Sequence, residues 1–399
     1  MCGITGKLYF NVQRRVDLQD LKKMTDSIYH RGPDDDGYYI MNNVGLGFRR
    51  LSVIDINNGH QPLSNASKTI WITFNGEIYN FKDLRIKLIQ KGYIFTTNSD
   101  TEVIVNLYEE FGEKCVNYLR GMFSFVIWDE KNKKLFGARD HLGIKPFYYY
   151  MDNHQFVWGS EIKAIKVSIG VSTKISIKSL DQYMTYGHML KKESIYQEIN
   201  KLEPGTCFSI EPHSNNPNLR LNKFWTLKNE PDYSKSQSDF ESELRNGLKE
   251  SVKLQMISDV PMGAFLSGGV DSSSIVTMMS SISERPVKTF SIGFKEQEFD
   301  ETRYASLIAD QCRTNHHKLI VEPQSIDLLP ELVKSFDEPF ADSSAIPMYY
   351  LSKFTREHVT VALSGDGGDE LFAGYSRYQK MLKLHNRPLN YDCINQIAS

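Results

Sequence analysis

Leu266-Ser267-Gly268-Gly269-Val270-Asp271-Ser272-Ser273-Ser274 closes an apolar run that starts at Val260 and opens a helical pattern carrying Ile275, Met278 and Met279. A strand, then a loop of glycines and hydroxyls, then a helix, is the arrangement in which backbone N–H groups and a helix N-terminus meet an anion. The paired glycines let the main chain come close to phosphate, and Asp271 can hold Mg²⁺ beside it. The loop lacks the lysine of the GxxxxGK pattern and the spacing of GxGxxG, so it is neither a P-loop nor a dinucleotide fingerprint. Similar apolar runs recur at Val287 to Phe294, His317 to Val321 and Val359 to Leu363, each followed by a helical pattern. That alternation predicts an α/β domain, a parallel sheet covered by helices. A helix opened by Ser238-Asp239-Phe240-Glu241, with Leu244, Leu248 and Val252 on one face, precedes it.

A second loop, Ser364-Gly365-Asp366-Gly367-Gly368-Asp369-Glu370, also follows an apolar strand. In a parallel sheet both loops fall at the carboxyl edge, where ligands bind. Asp366, Asp369 and Glu370 are therefore expected to share Mg²⁺ with Asp271 across a pyrophosphate, whose charge they would otherwise repel. Asp337-Glu338-Pro339-Phe340 and Asp342-Ser343-Ser344 are further candidates for acceptor or metal contacts, or for a capped loop.

Upstream the texture differs. Short strands are expected within Gly37 to Val53, and at Thr69 to Phe74, Phe123 to Trp128, Leu135 to Ala138 and Phe147 to Tyr150, separated by turns rich in Asn, Asp, Lys and Gly. Two helices interrupt them: one from about Phe81 to Lys91, and one whose start, Ser99-Asp100-Thr101-Glu102, reads as a capping box. This predicts an α+β domain with antiparallel sheets. A polar stretch rich in Pro, Asn and Ser, including Pro212-His213-Ser214-Asn215-Asn216-Pro217 and Asn229-Glu230-Pro231, then reads as a linker. The expected layout is 1–210, a linker at 211–237, and 238–399.

The start of the chain, Met1-Cys2-Gly3-Ile4-Thr5-Gly6, carries the chemistry of the first domain. With Met1 removed, Cys2 holds a thiol and a free α-amine, a nucleophile with its own base, since the two titrate near pKa 8.5 and about 8 respectively. Three stretches suit a substrate of that thiol. Arg50 in Arg49-Arg50-Leu51-Ser52-Val53 offers a guanidinium to an α-carboxylate. Asp100 can pair an α-ammonium. The Asn75 side-chain amide and the Gly76 N–H, in Asn75-Gly76-Glu77, can form an oxyanion hole. Each has a plain structural explanation as well: a surface charge, a cap residue, and a turn.

Composition excludes rather than identifies. The chain has 399 residues and a net charge of -2 with both signs mixed, so nothing suggests a nucleic-acid or membrane-surface partner. Its five cysteines are scattered without a CxxC pair, which argues against a disulfide framework or zinc site and fits a reducing, cytoplasmic setting. No basic, apolar leader precedes the first domain, which is read as starting mature.

Cys2-Gly3-Ile4, His30-Arg31-Gly32-Pro33-Asp34, Arg50-Leu51-Ser52, Asn75-Gly76-Glu77-Ile78-Tyr79-Asn80 and Ser99-Asp100 together resemble the N-terminal-nucleophile (class II) glutamine amidotransferases. Ser267 to Ser273 and Ser364 to Tyr375 resemble the ATP-pyrophosphatase half of the glutamine-hydrolysing asparagine synthetases, and the likeness runs from Met1 to about Tyr378. The resemblance implies an Ntn-type first domain and a Rossmann-like second one. It implies Cys2 as nucleophile with its amine as base, Asn75 and Gly76 as oxyanion hole, and Arg50, Gly76, Glu77 and Asp100 as glutamine ligands with backbone contacts from Leu51 and Val53. It implies ATP contacts from Leu266, Ile292, Ser364 and Gly365, phosphate contacts from Ser267, Gly268, Gly269, Asp271, Ser272 and Ser273, and metal contacts from Asp271 and Asp369.

The implied partners are small molecules, glutamine, aspartate and ATP with Mg²⁺, and a homodimer is compatible with them. The implied reaction passes ammonia from glutamine through an interior tunnel to a β-aspartyl-AMP. Two other readings stay open: another carboxylate acceptor such as a uronic-acid sugar, and a glutaminase or nucleotide-binding module without ligase activity. Members of the family continue past the acidic loop through a helical region with an Arg-Val-Pro-Phe-Leu-Asp segment and a later lysine. Neither appears before Ser399, so the second half is read as incomplete.

Overall fold

The computed structural model describes residues 1–212, 218–295, 301–321 and 325–385. The linker residues His213 to Pro217 and the terminal stretch Leu389 to Ile394 lie outside them. The chain divides into two compact units, Met1–Ser236 with Ile257–Val260 and Gln324–Ile346, and Gln237–Met256 with Pro261–Pro323 and the chain from Pro347 onward.

The strands of the first unit are β1 (Gly3–Tyr9), β2 (Asp35–Met41), β3 (Val44–Arg50), β4 (Leu63–Ser64), β5 (Ile70–Ile78), β6 (Gly121–Asp129), β7 (Lys134–Arg139), β8 (Tyr148–Met151), β9 (Gln155–Gly159), β10 (Ile199–Lys201), β11 (Thr206–Ile210) and β12 (Arg220–Lys223). They form two six-stranded sheets, β10-β8-β9-β1-β3-β2 and β12-β11-β7-β6-β5-β4. Every pairing is antiparallel.

Alternation along the strands gives each sheet two apolar faces. The inner faces meet in one core: Ile4 and Leu8 of β1, Phe48 of β3 and Trp158 of β9 pack with Val126 and Trp128 of β6 and Phe208 of β11. The outer face of the second sheet, with Phe74, Phe125 and Phe136, is covered by α2 (Phe81–Gln90) and α3 (Asp100–Phe111) through Leu84, Leu88, Ile104 and Leu107. The outer face of the first sheet is covered by α1 (Leu18–Asp26) and α4 (Ile162–Lys166) through Leu21, Met24, Ile162 and Ile165. The expected α+β class with antiparallel sheets is what forms: helix, sheet, sheet, helix.

Three local expectations change. Gly37 to Val53 is a hairpin of β2 and β3 turning at Asn42, whose φ is 51°, and the chain leaves the sheet after Arg50. Asn75-Gly76-Glu77 is the interior of β5, not a turn or strand end, and pairs with Ser124, Phe123 and Met122 of β6. Within the stretch read as linker, Arg220–Lys223 adds an edge strand to β11, from Thr206↔Lys223 to Ser209↔Arg220. Its four side chains are all exposed, so no alternation marked it as a strand.

The capping box at Ser99 forms by half. Ser99 Oγ accepts from Glu102 N at 3.4 Å, while the Glu102 carboxylate accepts from the Thr96 and Thr97 N–H groups at 2.8 and 2.7 Å instead of turning back to Ser99.

The second unit holds β13 (Met262–Phe265), β14 (Lys288–Phe294), β15 (Asn315–Val321) and β16 (Val361–Leu363) in the order β15-β14-β13-β16, all parallel. After α5 (Ile177–Tyr186) of the first unit, α6 (Gln237–Gln255), α7 (Val270–Ile282) and α8 (Thr302–Gln311) cover one face of this sheet through Val252, Val276, Met279, Ala305 and Ala309. Leu351, on the helix Ala345–Arg356, packs with Phe290 and Val359 in a separate cluster. The strand order reverses beside β13, so the loops after β13 and β16 flank a topological switch point.

Candidate active site

In the first unit, Cys2 immediately precedes β1 and its thiol lies against the backbone of one residue: Leu51 N–H donates to Sγ at 3.4 Å and the thiol reaches Leu51 O at 3.5 Å. Arg31 Nε holds the Cys2 carbonyl at 2.9 Å, and Arg31 Nη1 pairs with Glu161 at 2.9 Å. Burial works against the Glu161 charge, yet hydrogen bonds from His30, Lys163 and Arg31 outweigh it and hold the carboxyl at about 2. Gly32 allows this turn to lie against β3, since a Cβ there would collide with the backbone of Arg49 and Arg50.

Cys2 shares a small cavity with Arg50, Leu51, Val53, Gly76, Glu77 and Asp100. These are the residues the sequence singled out, drawn together from β1, β3, β5 and α3. The cavity is about 30 Å³, room for a water or two and not for an amino acid.

Arg50 is 6% exposed and far from a surface charge. Its guanidinium donates to the carbonyls of Ile56 at 2.9 Å, Asp55 at 2.6 Å and Ile54 at 3.2 Å. That is three of its five N–H donors, leaving Nε–H and one Nη1 hydrogen for a ligand. Gly59 makes room for it, because a Cβ would strike Arg50 Nη2.

Two acids share the cavity, Asp100 buried and Glu77 half-buried. Asp100 begins α3 and accepts from Ile78 N at 2.9 Å, and burial raises its carboxyl to about 6 against the pull of backbone hydrogen bonds. Glu77 is pushed well above the ordinary carboxylate range by burial and by Asp100, with Lys145 opposing. Two adjoining acids held high in a pocket suit a ligand that brings a cation.

Burial also pushes the Cys2 thiol up. The Leu51 hydrogen bond and the N-terminal ammonium oppose this, and Glu77 adds to it. Asn75 is 1% exposed, and neither its Nδ2 nor its Oδ1 has a hydrogen-bond partner. It adjoins Gly76 in β5 but is not itself a wall of the cavity.

Sequence reasoning missed Gln61, Ile54, Gly59 and Thr101, which also line the cavity. Gln61 ties two walls, accepting from Phe74 N at 2.7 Å and donating to Thr101 Oγ1 at 3.1 Å. Nothing in an isolated Gln-Pro dipeptide signals that role. Lys145, buried and lowered to about 8 chiefly by desolvation, was likewise unmarked.

In the second unit a cavity of about 570 Å³ opens between the two loops. Leu266, Ser267, Asp271, Ser272, Ile292, Ser364, Gly365, Asp366, Asp369 and Glu370 line it, while Gly268, Gly269 and Ser273 do not. Gly268 has φ 90°, and a Cβ there would fall 2.5 Å from Ala305 N, so both conformation and space require glycine.

The hydroxyls expected to face phosphate are partly engaged within the loop. Ser267 Oγ and Ser272 Oγ lie 3.0 Å apart, Gly269 N donates to Ser267 Oγ at 3.2 Å, and Ser272 Oγ donates to Gly269 O at 3.3 Å. The anion donors left are the first-turn N–H groups of α7, whose N-cap Gly269 makes no side-chain cap bond. The loops interlock: a Cβ on Gly365 would come 2.7 Å from Ser272 N, and one on Gly368 would strike the Asp271 carboxyl.

Among the described residues, no three His, Cys, Asp or Glu side chains converge on a metal-sized point, so the expected sharing of Mg²⁺ by four acids does not form as drawn. Glu370 instead accepts from Tyr375 OH at 2.8 Å and Asp366 from Ser364 Oγ at 2.9 Å. Asp271 over Gly368 and Asp369 on the same rim still fit Mg²⁺, which takes one or two carboxylates and fills its shell with phosphate oxygens and water. Asp337 and Glu338 do not line this cavity. They belong to the first unit, where Asp337 accepts from Lys163 N at 2.9 Å and Glu338 pairs with Lys201 at 2.6 Å.

These two sites meet their counterparts in known proteins. Residues 1–225 match the glutamine amidotransferase domain family and residues 243–397 the asparagine synthase family. The first match defines the class: an amidotransferase domain of the glutamine-using kind, carrying Cys2 at its start. Asparagine synthetase 1 of Bacillus subtilis is 41% identical over 389 residues, covering 96% of this chain and 60% of that protein. The putative glutamine-hydrolysing asparagine synthetase 2 of Methanocaldococcus jannaschii is 38% identical over 403 residues, covering 94% of this chain and 76% of that protein. The chain belongs to the glutamine-hydrolysing asparagine synthetase family. It spans about 60% of the length of the Bacillus subtilis protein. Among the described residues no helix is long and apolar enough to cross a membrane.

Proposed function

We propose that this chain releases ammonia from glutamine at Cys2 and uses it to convert aspartate to asparagine at the expense of ATP, giving glutamate, AMP and pyrophosphate. One observation carries the reading: the Cys2 thiol stands in the same cavity as Arg50, Glu77 and Asp100. That set complements an amino acid whose side-chain amide faces a thiol. The α-carboxylate goes to the free Arg50 donors, and the α-ammonium goes between Glu77 and Asp100.

Removal of Met1 gives Cys2 its own α-amine. The amine takes the thiol proton, Sγ attacks the amide carbon, and Asn75 Nδ2 with the Gly76 N–H receives the developing oxyanion, each donor supplying about 3 kcal/mol or more. The ammonium returns its proton to the amide nitrogen, which leaves as NH₃, and water then hydrolyses the γ-glutamyl thioester to glutamate and free thiol. Burial of the thiol, which raises its pKa, favours a nucleophile activated only by its local base.

In the second unit the N-terminus of α7 and the Ser267 to Ser273 loop hold the phosphates, Leu266 and Ile292 flank the nucleotide, and Ser364 and Gly365 close the far side. Asp271 and Asp369 would hold Mg²⁺, which would supply positive charge beside the phosphates. Attack of the aspartate β-carboxylate on the α-phosphate expels pyrophosphate. Ammonia then attacks the mixed anhydride, releasing AMP.

Glutamate release by the purified chain tests the first half directly. Wild-type protein, with Met1 loss checked by intact mass, hydrolyses glutamine, and Cys2→Ala reduces the rate by at least about a thousandfold. Persistent hydrolysis in Cys2→Ala overturns the assignment of the nucleophile.

A further inference from the structure

The Arg50 guanidinium is set by three carbonyls of a loop, and that loop is tied down by a residue far away in the sequence. Asp259 lies between α6 and β13, yet its segment, Ile257–Val260, packs with the first unit. Asp259 Oδ2 accepts from Asp55 N at 2.9 Å, and Asp259 N donates to Val53 O at 3.1 Å. Ile257 joins the apolar cluster beneath α2 and α3.

Asp55 is the knot. It is 9% exposed and has φ 49°, a conformation that a non-glycine residue holds only under constraint. Its carbonyl accepts from Arg50 Nη2 at 2.6 Å and from Gly59 N at 2.9 Å. Its carboxylate accepts from Asn98 N at 2.6 Å, just ahead of Ser99 and Asp100, and from Asn58. One residue thus joins the wall that carries Arg50 to the wall that carries Asp100, and Asp259 fixes its backbone from outside.

We infer that Asp259 is a positioning residue for the amino-acid pocket, acting through Asp55 on the guanidinium of Arg50. It does not touch the thiol, and it meets the cavity lining only through its own backbone N–H on Val53 O, so its side chain sets the affinity for the substrate's α-substituents and not the chemistry at Cys2. The inference rests on the proposed glutamine pocket and adds to it a residue from the stretch of chain that leads into the second unit.

The test compares Asp259→Ala and Asp259→Asn in the full chain, measuring glutaminase kcat and KM and the protection of Cys2 by glutamine against iodoacetamide. Asp259→Ala raises the glutamine KM, and the glutamine concentration that protects Cys2, by about fivefold to tenfold, the effect of one lost hydrogen bond on uniform binding. Its kcat stays within about twofold of wild type, as expected when only uniform binding is lost. Asp259→Asn, which keeps an oxygen for Asp55 N, restores both values.

An unchanged KM and protection in Asp259→Ala overturns the inference. So does a joint loss of kcat and melting temperature in both variants, which would assign Asp259 to folding alone. A wild-type chain that neither hydrolyses nor binds glutamine overturns the reading of the pocket itself, a result distinct from either.

Discussion

Two carboxyls dominate the pocket at the level of single residues. Burial raises Asp100 to about 6 over its backbone hydrogen bonds, and burial with the Asp100 charge raises Glu77 well above the ordinary carboxylate range against Lys145. Between the ordinary carboxylate range and about 6, the folded chain keeps a proton on Asp100 that the unfolded chain has lost. This group therefore makes the empty protein less stable as pH rises through that window. An α-ammonium reverses the sign by pairing the ionised acid, so glutamine binds more tightly as pH rises. The glutamine KM of the wild type should fall between about pH 5 and 7. In Asp100→Asn it should lie on the order of thirtyfold higher and lose most of that slope, as expected for a charged hydrogen-bond partner. Steady-state glutaminase assays across this range check it, and a KM that rises with pH contradicts the ammonium assignment.

The same residues show what a sequence conveys and what it withholds. Cys2, Arg50, Gly76, Glu77 and Asp100 were legible because each brings a functional group matched to one part of an amino acid, and all of them line one cavity. Gln61 and Asp55 were not, since their work is to hold backbone groups of distant segments, and no local pattern records such a bond.

Among elements, β6 and β7 were read as strands although both faces are buried, while β1, β9 and β11, buried likewise, were not. β1 is buried along its whole length, and its Lys7 points inward to Asp20 at 2.6 Å, which hides the alternation. Helix α3 was announced by its cap, and the parallel sheet by its spacing of apolar runs.

The element-scale reading also corrects the role of Gly76. It is needed because β6 runs against it, a Cβ there colliding with Met122 O, and not because a turn requires flexibility. Gly76→Ala should therefore part β5 from β6 at a cost of about 1–3 kcal/mol and lower glutaminase kcat at least tenfold, by moving an oxyanion donor. Thermal unfolding with kinetics checks both, and an active, equally stable variant contradicts the packing argument. In the second unit, Gly368→Ala displaces the Asp271 carboxyl and should weaken ATP use by about fivefold or more while glutamine hydrolysis continues. Nucleotide titration separates the two.

At the scale of the whole molecule, two site sets stand in the order the family uses, each on its own scaffold: a thiol pocket on an antiparallel sandwich, and a cleft, proposed here for ATP, at the switch point of a parallel sheet. Fold class was legible for both because hydrophobic period alone separates the halves. The division into units was less so. The segments at 257–260 and 324–346 leave the neighbourhood of the second sheet to pack on the first unit, which follows from contacts made only after folding.

The central claim is that nitrogen freed at Cys2 ends in an amide made with ATP. Glutamine labelled with ¹⁵N in its side-chain amide, incubated with the chain, aspartate and MgATP, tests it in one measurement. The account predicts ¹⁵N in the asparagine side chain with AMP formed in equal amount. Unlabelled asparagine, ADP in place of AMP, or glutamate release that ignores ATP and aspartate would contradict it.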